Sequence, residues 1–254
     1  MRAGYPGHYG QAGDWFSFDY ALTSDDTGYK GGKLSYQPQV GVWHDTGVAG
    51  IFGASAWLDM YDFKLAEESG SGALHEGDYT AYWAYPIQPL STAVELGWTA
   101  RTFPQYAGDK AFTHEWYVLV SFDDSKLFGT KSCVLRPYVG YYRDMDDLGG
   151  ARIEWGISHC FLLRELGLAD QPVLRDIAVM PSLTTCIDDH QLSDSTRVAS
   201  LRYGLDISYD LNSALGIDTK LGLFSIGGFL YYRQAFMDPV RNDLYGGLTL
   251  GYRL

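Results

Sequence analysis

Charged side chains stand at alternate positions of several apolar stretches, and charges fixed in such rows could select solutes by charge. In the stretch "LRYGLDISYDL" (201–211), arginine and aspartate alternate with large apolar or aromatic residues. Successive side chains of a strand point to opposite faces, so these charges share one face. Rings of Asp and Glu around a pore favour cations, and facing arginines oppose them. The pattern predicts six lining residues: Glu95, Arg101, Arg136, Glu154, Arg202 and Asp206.

Ser158 and His159 are the pair that could perform nucleophilic chemistry. A serine hydrolase needs a base within hydrogen-bond reach of the hydroxyl and a third group that orients the base. Adjacent residues of a strand point to opposite faces, so these two cannot pair with each other. His190 and Ser193 have another spacing and lie in a predicted loop. We therefore assign no catalytic residue and expect no enzymatic activity, with a lipid-modifying enzyme as one alternative.

The histidines, cysteines and acidic clusters show no metal-binding spacing. The six histidines are scattered over different segments, and the acidic runs "DMDD" (144–147) and "DD" (188–189) lack the fixed spacing of a calcium loop. Cys133 and Cys160 fall at similar height in one predicted hairpin, but alternation places them on opposite faces. The acidic runs could hold a divalent cation or raise the local concentration of cationic solutes, but a solvated loop surface is favoured. We expect three free cysteines, no metal and no cofactor.

Twelve segments have strand character, and together they must position the charged residues. Most are nine to thirteen residues long, close to the roughly 9–11 residues that a tilted strand needs to cross a bilayer. They are 14–22, 34–43, 48–60, 78–87, 92–102, 113–123, 133–143, 151–163, 175–186, 199–211, 217–233 and 244–254. Alternation places on the polar face Asp19, Gln37, Gln39, Asp59, Glu95, Arg101, Glu115, Arg136, Arg152, Glu154, Arg202, Asp206, Asp210, Asp218, Lys220 and Arg253.

Aromatic residues are abundant near the ends of these segments. The chain has 20 Tyr, 7 Trp and 30 Gly, a composition that favours strands and turns. Tyr and Trp are enriched where membrane proteins meet the headgroup region. The predicted girdle comprises Trp15, Tyr36, Tyr61, Tyr79, Trp83, Tyr85, Trp116, Tyr141 and Tyr231.

The links between segments differ at the two ends of the predicted sheet. Links after even-numbered strands include the short turns 44–47, 88–91 and 212–216 and two longer ones at 124–132 and 164–174. Those after odd-numbered strands are generally longer. The six longer loops hold fifteen acids against six bases, including acids at 144, 146, 147, 188 and 189. Short turns at one end and longer loops at the other are typical of outer-membrane barrels, with both termini on the periplasmic side.

Length and charge limit the classes of function. The 254 residues suit one domain, 1–254, of which 1–13 would form a periplasmic N-terminal segment. A net charge of -12 argues against nucleic-acid binding, which needs a cationic patch. No window approaches 18 consecutive apolar residues, which excludes a transmembrane helix. The start "MRAGYPGHYG" has no apolar signal-peptide core, so we expect a mature form.

Two fold classes share such alternation. A soluble β-sandwich or lipocalin-like barrel turns its apolar face inward, whereas a membrane barrel turns it toward lipid. Strand length, strand number and aromatic content favour the second. Because a bilayer core offers no water to unpaired backbone groups, only helices and closed barrels can span it. The expected fold is all-β, a closed antiparallel transmembrane β-barrel of about 12 strands.

The C-terminal stretch "LYGGLTLGYRL" resembles the final strand of bacterial outer-membrane β-barrels. It has apolar residues at alternate positions back from the end, although this chain ends in Leu254 where those proteins usually end in Phe or Trp. The hairpin "RPYVGYYRDMDDLGGARIEWGISH" (136–159) is the part most similar to small Gram-negative outer-membrane proteins of the porin type. The resemblance implies an outer-membrane location, recognition by the barrel-assembly machinery and passive transport.

The expected function is passive passage of small solutes through a narrow lumen that weakly favours cations. Its charges could line an open pore, or they could pair and close it, and a count of twelve strands does not decide. The alternative is a non-conducting structural or interaction barrel. Expected partners are membrane lipid with lipopolysaccharide, small solutes and the assembly machinery, without nucleic acid, and an oligomer is compatible with the chain.

Overall fold

A large antiparallel sheet accounts for most of the chain. The computed structural model describes residues 13–25, 33–61, 74–104, 112–130, 133–146, 149–171, 173–192, 194–238 and 240–254. Within that part, no helix is long and apolar enough to cross a membrane. The predicted segment 1–13 lies almost wholly outside the described residues.

The described residues form twelve long or medium strands, one two-residue strand, two short α-helices and four short 3₁₀ helices. The strands are β1 (Gly13–Asp25), β2 (Lys33–Asp45), β3 (Ile51–Tyr61), β4 (Leu74–Ile87), β5 (Thr92–Thr102), β6 (Phe112–Phe122), β7 (Tyr138–Asp144), β8 (Ala151–Ser158), β9 (Phe161–Leu162), β10 (Ile177–Asp189), β11 (Arg197–Asp210), β12 (Leu223–Ala235) and β13 (Asp243–Arg253). The α-helices are α1 (Ser125–Phe128) and α2 (Leu211–Leu215).

Every strand pairs antiparallel with its neighbour in the chain, except where β9 intervenes. The short β9 lies beside β10 next to β8, so β10 pairs with β8, β9 and β11. At the other limit of the order, β13 pairs with both β12 and β1. Each of the twelve principal strands therefore has two hydrogen-bonded neighbours.

The sheet has one polar face and one apolar face, as the alternation predicts. In β6, Glu115 is 0% exposed whereas its neighbour Trp116 is 56% exposed. Asp59, Asp78, Asp144 and Asp188 are likewise buried, while large apolar residues such as Val42, Leu205 and Leu248 are exposed. This is the reverse of a soluble domain, in which charged residues are seldom fully buried and apolar faces pack inward.

All twelve predicted strands exist, but several bounds were wrong. The loop-side ends extend further than expected, so that Asp144 closes β7 and Asp188 lies within β10. Both aspartates are 2% exposed and belong to the polar face, not to a solvated loop. Thr113 donates a 2.8 Å hydrogen bond to Asp144, and the amide of Leu192 donates one of 2.8 Å to Asp188.

The strand predicted to start at 217 begins only at Leu223. Asp210 caps α2 by accepting hydrogen bonds from the amides of Asn212 and Ser213. The buried Asn212 side chain donates to the carbonyls of Ile217 and Gly222 and accepts from the amide of Phe224. These bonds satisfy the backbone of a folded turn, so the segment does not need a strand partner.

The predicted difference in link length was also wrong. At the end of the sheet where β1 begins and β13 ends, links 46–50 and 88–91 are short. Links 123–137, 159–176 and 211–222 at the same end are long. They exceed the links 145–150, 190–196 and 236–242 at the opposite end, because the strands there extend into the predicted loops. Link length therefore does not identify the end that faces the outside.

Candidate functional site

Five charged side chains form a continuous chain of ion pairs on the polar face of β4 to β8. We call Asp78, Arg101, Glu115, Arg152 and Glu154 the charged belt. Arg101 lies 3.6 Å from Asp78 and 2.9 Å from Glu115, measured between nitrogen and oxygen. Arg152 lies 3.7 Å from Glu115 and 3.0 Å from Glu154. Glu115 therefore lies between two arginines from different strands.

The register of the strands produces this order of charges. Asp78 of β4 is directly opposite Arg101 of β5, and Glu115 of β6 is one polar-face position away from it. β7 contributes Tyr142 instead of a charge, and the guanidinium of Arg152 lies 4.5 Å above its ring centroid. A cation over an aromatic ring is favourable, so the belt passes from β6 to β8 across Tyr142.

A second cluster lies on the polar face of β11 to β13, and we call it the tyrosine cluster. Tyr231 donates hydrogen bonds of 2.7 Å and 2.9 Å to the two carboxylate oxygens of Asp206. The guanidinium of Arg202 lies 5.6 Å from the centroid of the same ring. Phe229 and Tyr245 lie beside Tyr231, with ring centroids 5.2 Å and 5.4 Å away. Here the charges contact aromatic side chains more than each other.

Tyrosines of the polar face lie across glycines of the adjacent strands. Tyr117 is opposite Gly97, where an added Cβ would meet its ring at 2.1 Å, and it donates a 2.7 Å hydrogen bond to Glu95. Tyr231 lies opposite Gly204 in the same way. Glycine at these positions lets the ring lie flat against the sheet and reach a carboxylate on the neighbouring strand.

No family model matches the chain, and no curated protein matches it. Among solved structures, it is similar to an outer membrane channel from Pseudomonas putida F1, with a TM-score of 0.57, 8% identity and 100% of both chains covered. It is similar to the KdgM porin, with a TM-score of 0.51 and 12% identity over 93% of this chain and 98% of that chain. A bacterial polysaccharide outer membrane secretin matches with a TM-score of 0.50 and 10% identity, covering 95% and 98%.

The fold is that of outer-membrane porins and channels. At such low identity the likeness extends to the fold and to no individual residue. The resemblance of "LYGGLTLGYRL" to the last strand of outer-membrane β-barrel proteins is therefore confirmed at the level of the fold.

Five of the six predicted lining residues lie on the polar face. Arg101 and Glu154 belong to the charged belt, and Arg202 and Asp206 to the tyrosine cluster. Glu95 accepts the hydrogen bond from Tyr117. Their role in lining a lumen stays a prediction.

Arg136 does not lie in a strand, contrary to the prediction. β7 begins at Tyr138, and Arg136 is exposed in link 123–137 with a φ of 44°. The buried carboxylate of Asp124 accepts hydrogen bonds from the amides of Val134 (2.6 Å) and Leu135 (2.7 Å). These amides are therefore engaged outside the sheet, and the strand cannot start at 133.

Two belt residues, Glu115 and Arg152, were expected on the polar face but not among the six lining candidates. Asp78 was missed because the predicted fourth strand begins there, whereas β4 begins at Leu74. The signal that could have found it is the spacing "HEGDYT" (75–80), which continues the alternation of β4 toward its N-terminal end.

The aromatic girdle is correct in part. Tyr79, Tyr85, Trp116 and Tyr141 are exposed on the apolar face. Trp83 stacks on Tyr85 and donates a 2.7 Å hydrogen bond to the carbonyl of Ala49. Tyr231 is the error, since its hydroxyl binds Asp206 on the polar face. The side chains of Trp15 and Tyr61 lie outside the described ones.

Asp123, Asp124 and Cys133 are the one group of potential metal ligands among the described residues. Burial would raise the pKa of Asp124, but hydrogen bonds from the Cys133 thiol and the amides of Leu135 and Val134 outweigh it and lower that pKa. Burial and the hydrogen bond to Asp124 raise the pKa of the Cys133 thiol. Because the Asp124 oxygens already accept these bonds, the arrangement acts as a clamp on link 123–137.

The residues considered for hydrolysis or a disulfide do not form a bonded pair with each other among the described contacts. Ser158 ends β8 opposite Ser182, while His159 contacts the Val134 carbonyl through Nδ1 and packs edge-on against Phe161. Cys133, Cys160 and Cys186 all lie in the described part of the chain and are free. His190 contacts Asp189, its neighbour in the chain.

Proposed function

We propose that the twelve strands close into a transmembrane β-barrel in a bacterial outer membrane. The pairings β13–β1 and β10–β11 support closure, because they leave each principal strand with two partners. Spanning a bilayer requires that no strand edge remains unpaired. In such a barrel the apolar face contacts lipid and the polar face lines the lumen.

One observation carries this proposal, namely the inverted distribution of burial. Leu248 is 64% exposed on the apolar face, whereas Glu115 on the polar face is fully buried. In water, a continuous exposed apolar surface of this kind would drive association. In a membrane the acyl chains of the lipids contact this apolar surface, so its side chains do not need to pack against another protein surface.

The lumen is proposed to pass small solutes with a weak preference for cations. On the described polar face, carboxylates outnumber guanidinium groups. The carboxylates are Asp45, Asp59, Glu76, Asp78, Glu95, Glu115, Asp144, Glu154, Asp188, Asp206, Asp210 and Asp243, against Arg101, Arg152, Arg202, Arg233 and Arg253. An excess of fixed negative charge raises the local concentration of cations and disfavours anions.

The test is single-channel recording of the refolded protein in a planar bilayer under a KCl gradient. We expect discrete current steps and a reversal potential on the cation side. Glu95→Gln and Asp206→Asn should each move that potential toward zero, and Glu165→Gln, an exposed link residue, should leave it unchanged. A silent bilayer, with protein that resists protease in the same membrane, would contradict the channel.

A non-conducting barrel is the second candidate, and one cluster favours it. Tyr117, Leu119 and Tyr142 are buried together on the polar face, with Tyr82 and Tyr138 packed against them. A polar face that buries Leu119 is filled at that point instead of being water-lined. Inserted but silent protein would support this candidate.

The proposed partners are outer-membrane lipid with lipopolysaccharide, small solutes and the barrel-assembly machinery. The proposal includes neither nucleic acid nor catalysis, since the net charge is -12 and the His159 Nδ1 contacts a backbone carbonyl. An oligomer is compatible with the wide exposed apolar face.

A further inference from the structure

Glu115 is unusual among the charged residues because its side chain is both buried and shared. Its side chain is 1% exposed, compared with 14% for Arg101 and 22% for Arg152. Burial of a carboxylate is costly unless opposite charges compensate it. The compensation comes from two strands that are not neighbours of each other, β5 and β8.

The geometry holds each arginine through more than one contact. Arg101 reaches Glu115 Oε1 with Nη2 and faces Asp78 with Nε. Arg152 reaches Glu115 Oε2 with Nη2, faces Glu154 with Nε and lies over the Tyr142 ring. Among the described ion pairs, Glu115 is the residue that contacts both arginines, so it joins the two halves of the belt.

We propose that Glu115 is a positioning residue that sets the charge selectivity of the lumen by retaining Arg101 and Arg152 on the wall. The inference rests on the proposed channel and names the residue on which its cation preference depends. With both guanidinium groups bound to Glu115, the positive charge of this wall is neutralised locally. Passing solutes then meet the remaining carboxylates of the polar face.

Loss of the Glu115 charge should change the ion selectivity by more than the removal of a single carboxylate would. The two arginines would lose their common partner, and their long side chains could extend into water. Asp78 and Glu154 would still face one arginine each. The lumen would then expose guanidinium groups where the native wall hides them.

The first test compares Glu115→Gln with Glu95→Gln in planar bilayers. Both variants remove one carboxylate from the same pair of strands. Within the described residues Glu115 contacts Arg101 and Arg152, whereas Glu95 accepts a hydrogen bond from Tyr117. A unit charge about 4 Å from an ion in water changes its occupancy about fivefold, so we expect the K⁺/Cl⁻ permeability ratio to fall by more than about fivefold in Glu115→Gln. Glu95→Gln should cause a smaller fall. If Glu115 is only a structural residue, its loss should change the ratio less than the loss of Glu95.

The second test separates position from charge. Glu115→Asp keeps the carboxylate but shortens the side chain by one methylene, so it cannot keep both arginine contacts. We expect the reversal potential to shift toward anions although the net charge is unchanged. This variant also serves if Glu115→Gln does not fold, as judged by heat-modified gel mobility.

The outcomes separate the inference from the proposed function. Wild-type protein that inserts without conducting would overturn the channel itself. Channels whose selectivity is native in Glu115→Asp, and in any Glu115→Gln protein that folds, would overturn the role of Glu115 alone.

Discussion

The charged belt and the tyrosine cluster are built by the same alternation but differ in how they hold charge. On β4 to β8, carboxylates and guanidinium groups bind each other, and Glu115 is removed from solvent. On β11 to β13, Asp206 binds a tyrosine hydroxyl and Arg202 lies over the same ring. We call these two parts of the polar face the belt wall, on β4 to β8, and the tyrosine wall, on β11 to β13. Ion pairs hold the belt wall, and aromatic contacts hold the tyrosine wall.

The difference arises from the residues between the charges. In the belt, acid and base occupy nearby polar-face positions on β4, β5, β6 and β8, so their side chains meet. In the tyrosine cluster, Gly204 and Gly247 lie opposite Tyr231 and Phe229, and the rings cover the space that the glycines leave. Rings shield the strand hydrogen bonds but provide weaker electrostatic partners than ions do.

The largest expected difference between the walls is in stability. Arg152→Gln leaves Glu115 and Glu154 with one partner fewer, and removing one member of a buried ion pair typically costs about 3–5 kcal/mol. Because the Arg152 side chain is 22% exposed, we expect a smaller effect than for a fully buried pair, namely a decrease of about 2–3 kcal/mol in the free energy of unfolding. Arg202→Gln should cost about 1 kcal/mol or less, the range of a partly exposed cation–π contact. Urea unfolding in lipid vesicles, followed by Trp fluorescence, measures both.

The control for this comparison is Arg175→Gln. Arg175 forms a 3.5 Å ion pair with Asp176 at a link, and its side chain is 47% exposed. Such exposed pairs contribute about 0–1 kcal/mol, so this variant sets the baseline. Equal losses for Arg152→Gln and Arg202→Gln would show that the two walls do not differ.

A second prediction concerns the glycine beneath Tyr117. In Gly97→Ala, the new Cβ would meet the Tyr117 ring at 2.1 Å, so the ring must move from Glu95. Overpacking of this kind typically costs about 1–3 kcal/mol. Gly228→Ala is the matched control, since its nearest neighbours are at 3.2 Å and 3.7 Å. In the same urea assay, the free energy of unfolding of Gly97→Ala should be clearly lower than that of Gly228→Ala. Similar free energies for the two variants would mean that the Tyr117 ring moves without cost.

Alternation predicted the faces of most strands, and strand length, strand number and aromatic content then favoured the fold of outer-membrane proteins. Alternation placed Arg101 and Glu154 on one face without any knowledge of the register. Their connection through Glu115 and Arg152 depends on which residues oppose each other across β5, β6 and β8. That information lies in pairing between strands, which the period of a single strand does not contain.

Two errors show where the pattern fails for a local reason. "CVLRPYVG" (133–140) resembles a strand, but Asp124 binds its first amides and holds Arg136 outside the sheet. "FLYYR" (229–233) is apolar or aromatic at four consecutive positions, so it has no period to read, and Tyr231 was assigned to the wrong face. A competing hydrogen bond and an ambiguous run are the physical causes.

A third prediction compares the tyrosine hydroxyls of the two walls. Tyr117→Phe and Tyr231→Phe each remove one donor to a carboxylate, Glu95 or Asp206. A net hydrogen bond contributes about 1 kcal/mol, and a buried partner left unsatisfied costs more. Since Tyr117 belongs to the buried cluster with Leu119, we expect its loss to cost about 1–2 kcal/mol and that of Tyr231 about 1 kcal/mol or less. A larger loss for Tyr231→Phe would reverse the ranking of the walls.

The smallest expected effect lies at the base of the belt wall, where Asp124 clamps the link between β6 and β7. Its folded-state pKa is lower than the usual 3.8, because hydrogen bonds from Cys133, Leu135 and Val134 outweigh the effect of burial. A depressed pKa means that the carboxylate contributes stability fully above about pH 4, and that this contribution is lost as the pH falls through the folded pKa. Protease cleavage within link 123–137 should therefore increase in acid well before the belt strands unfold.

Asp124→Asn should remove this acid step, because the amide does not titrate. Its link should be open to protease already at neutral pH, since one carboxylate oxygen is replaced by a donor group. Asp123→Asn is the matched control, because Asp123 is exposed and its carboxylate accepts a hydrogen bond from the amide of Ser125, not from the amides that Asp124 holds. If wild type and Asp124→Asn show the same cleavage profile between about pH 5 and pH 2, the clamp does not govern this link and its acid response must come from the belt above it.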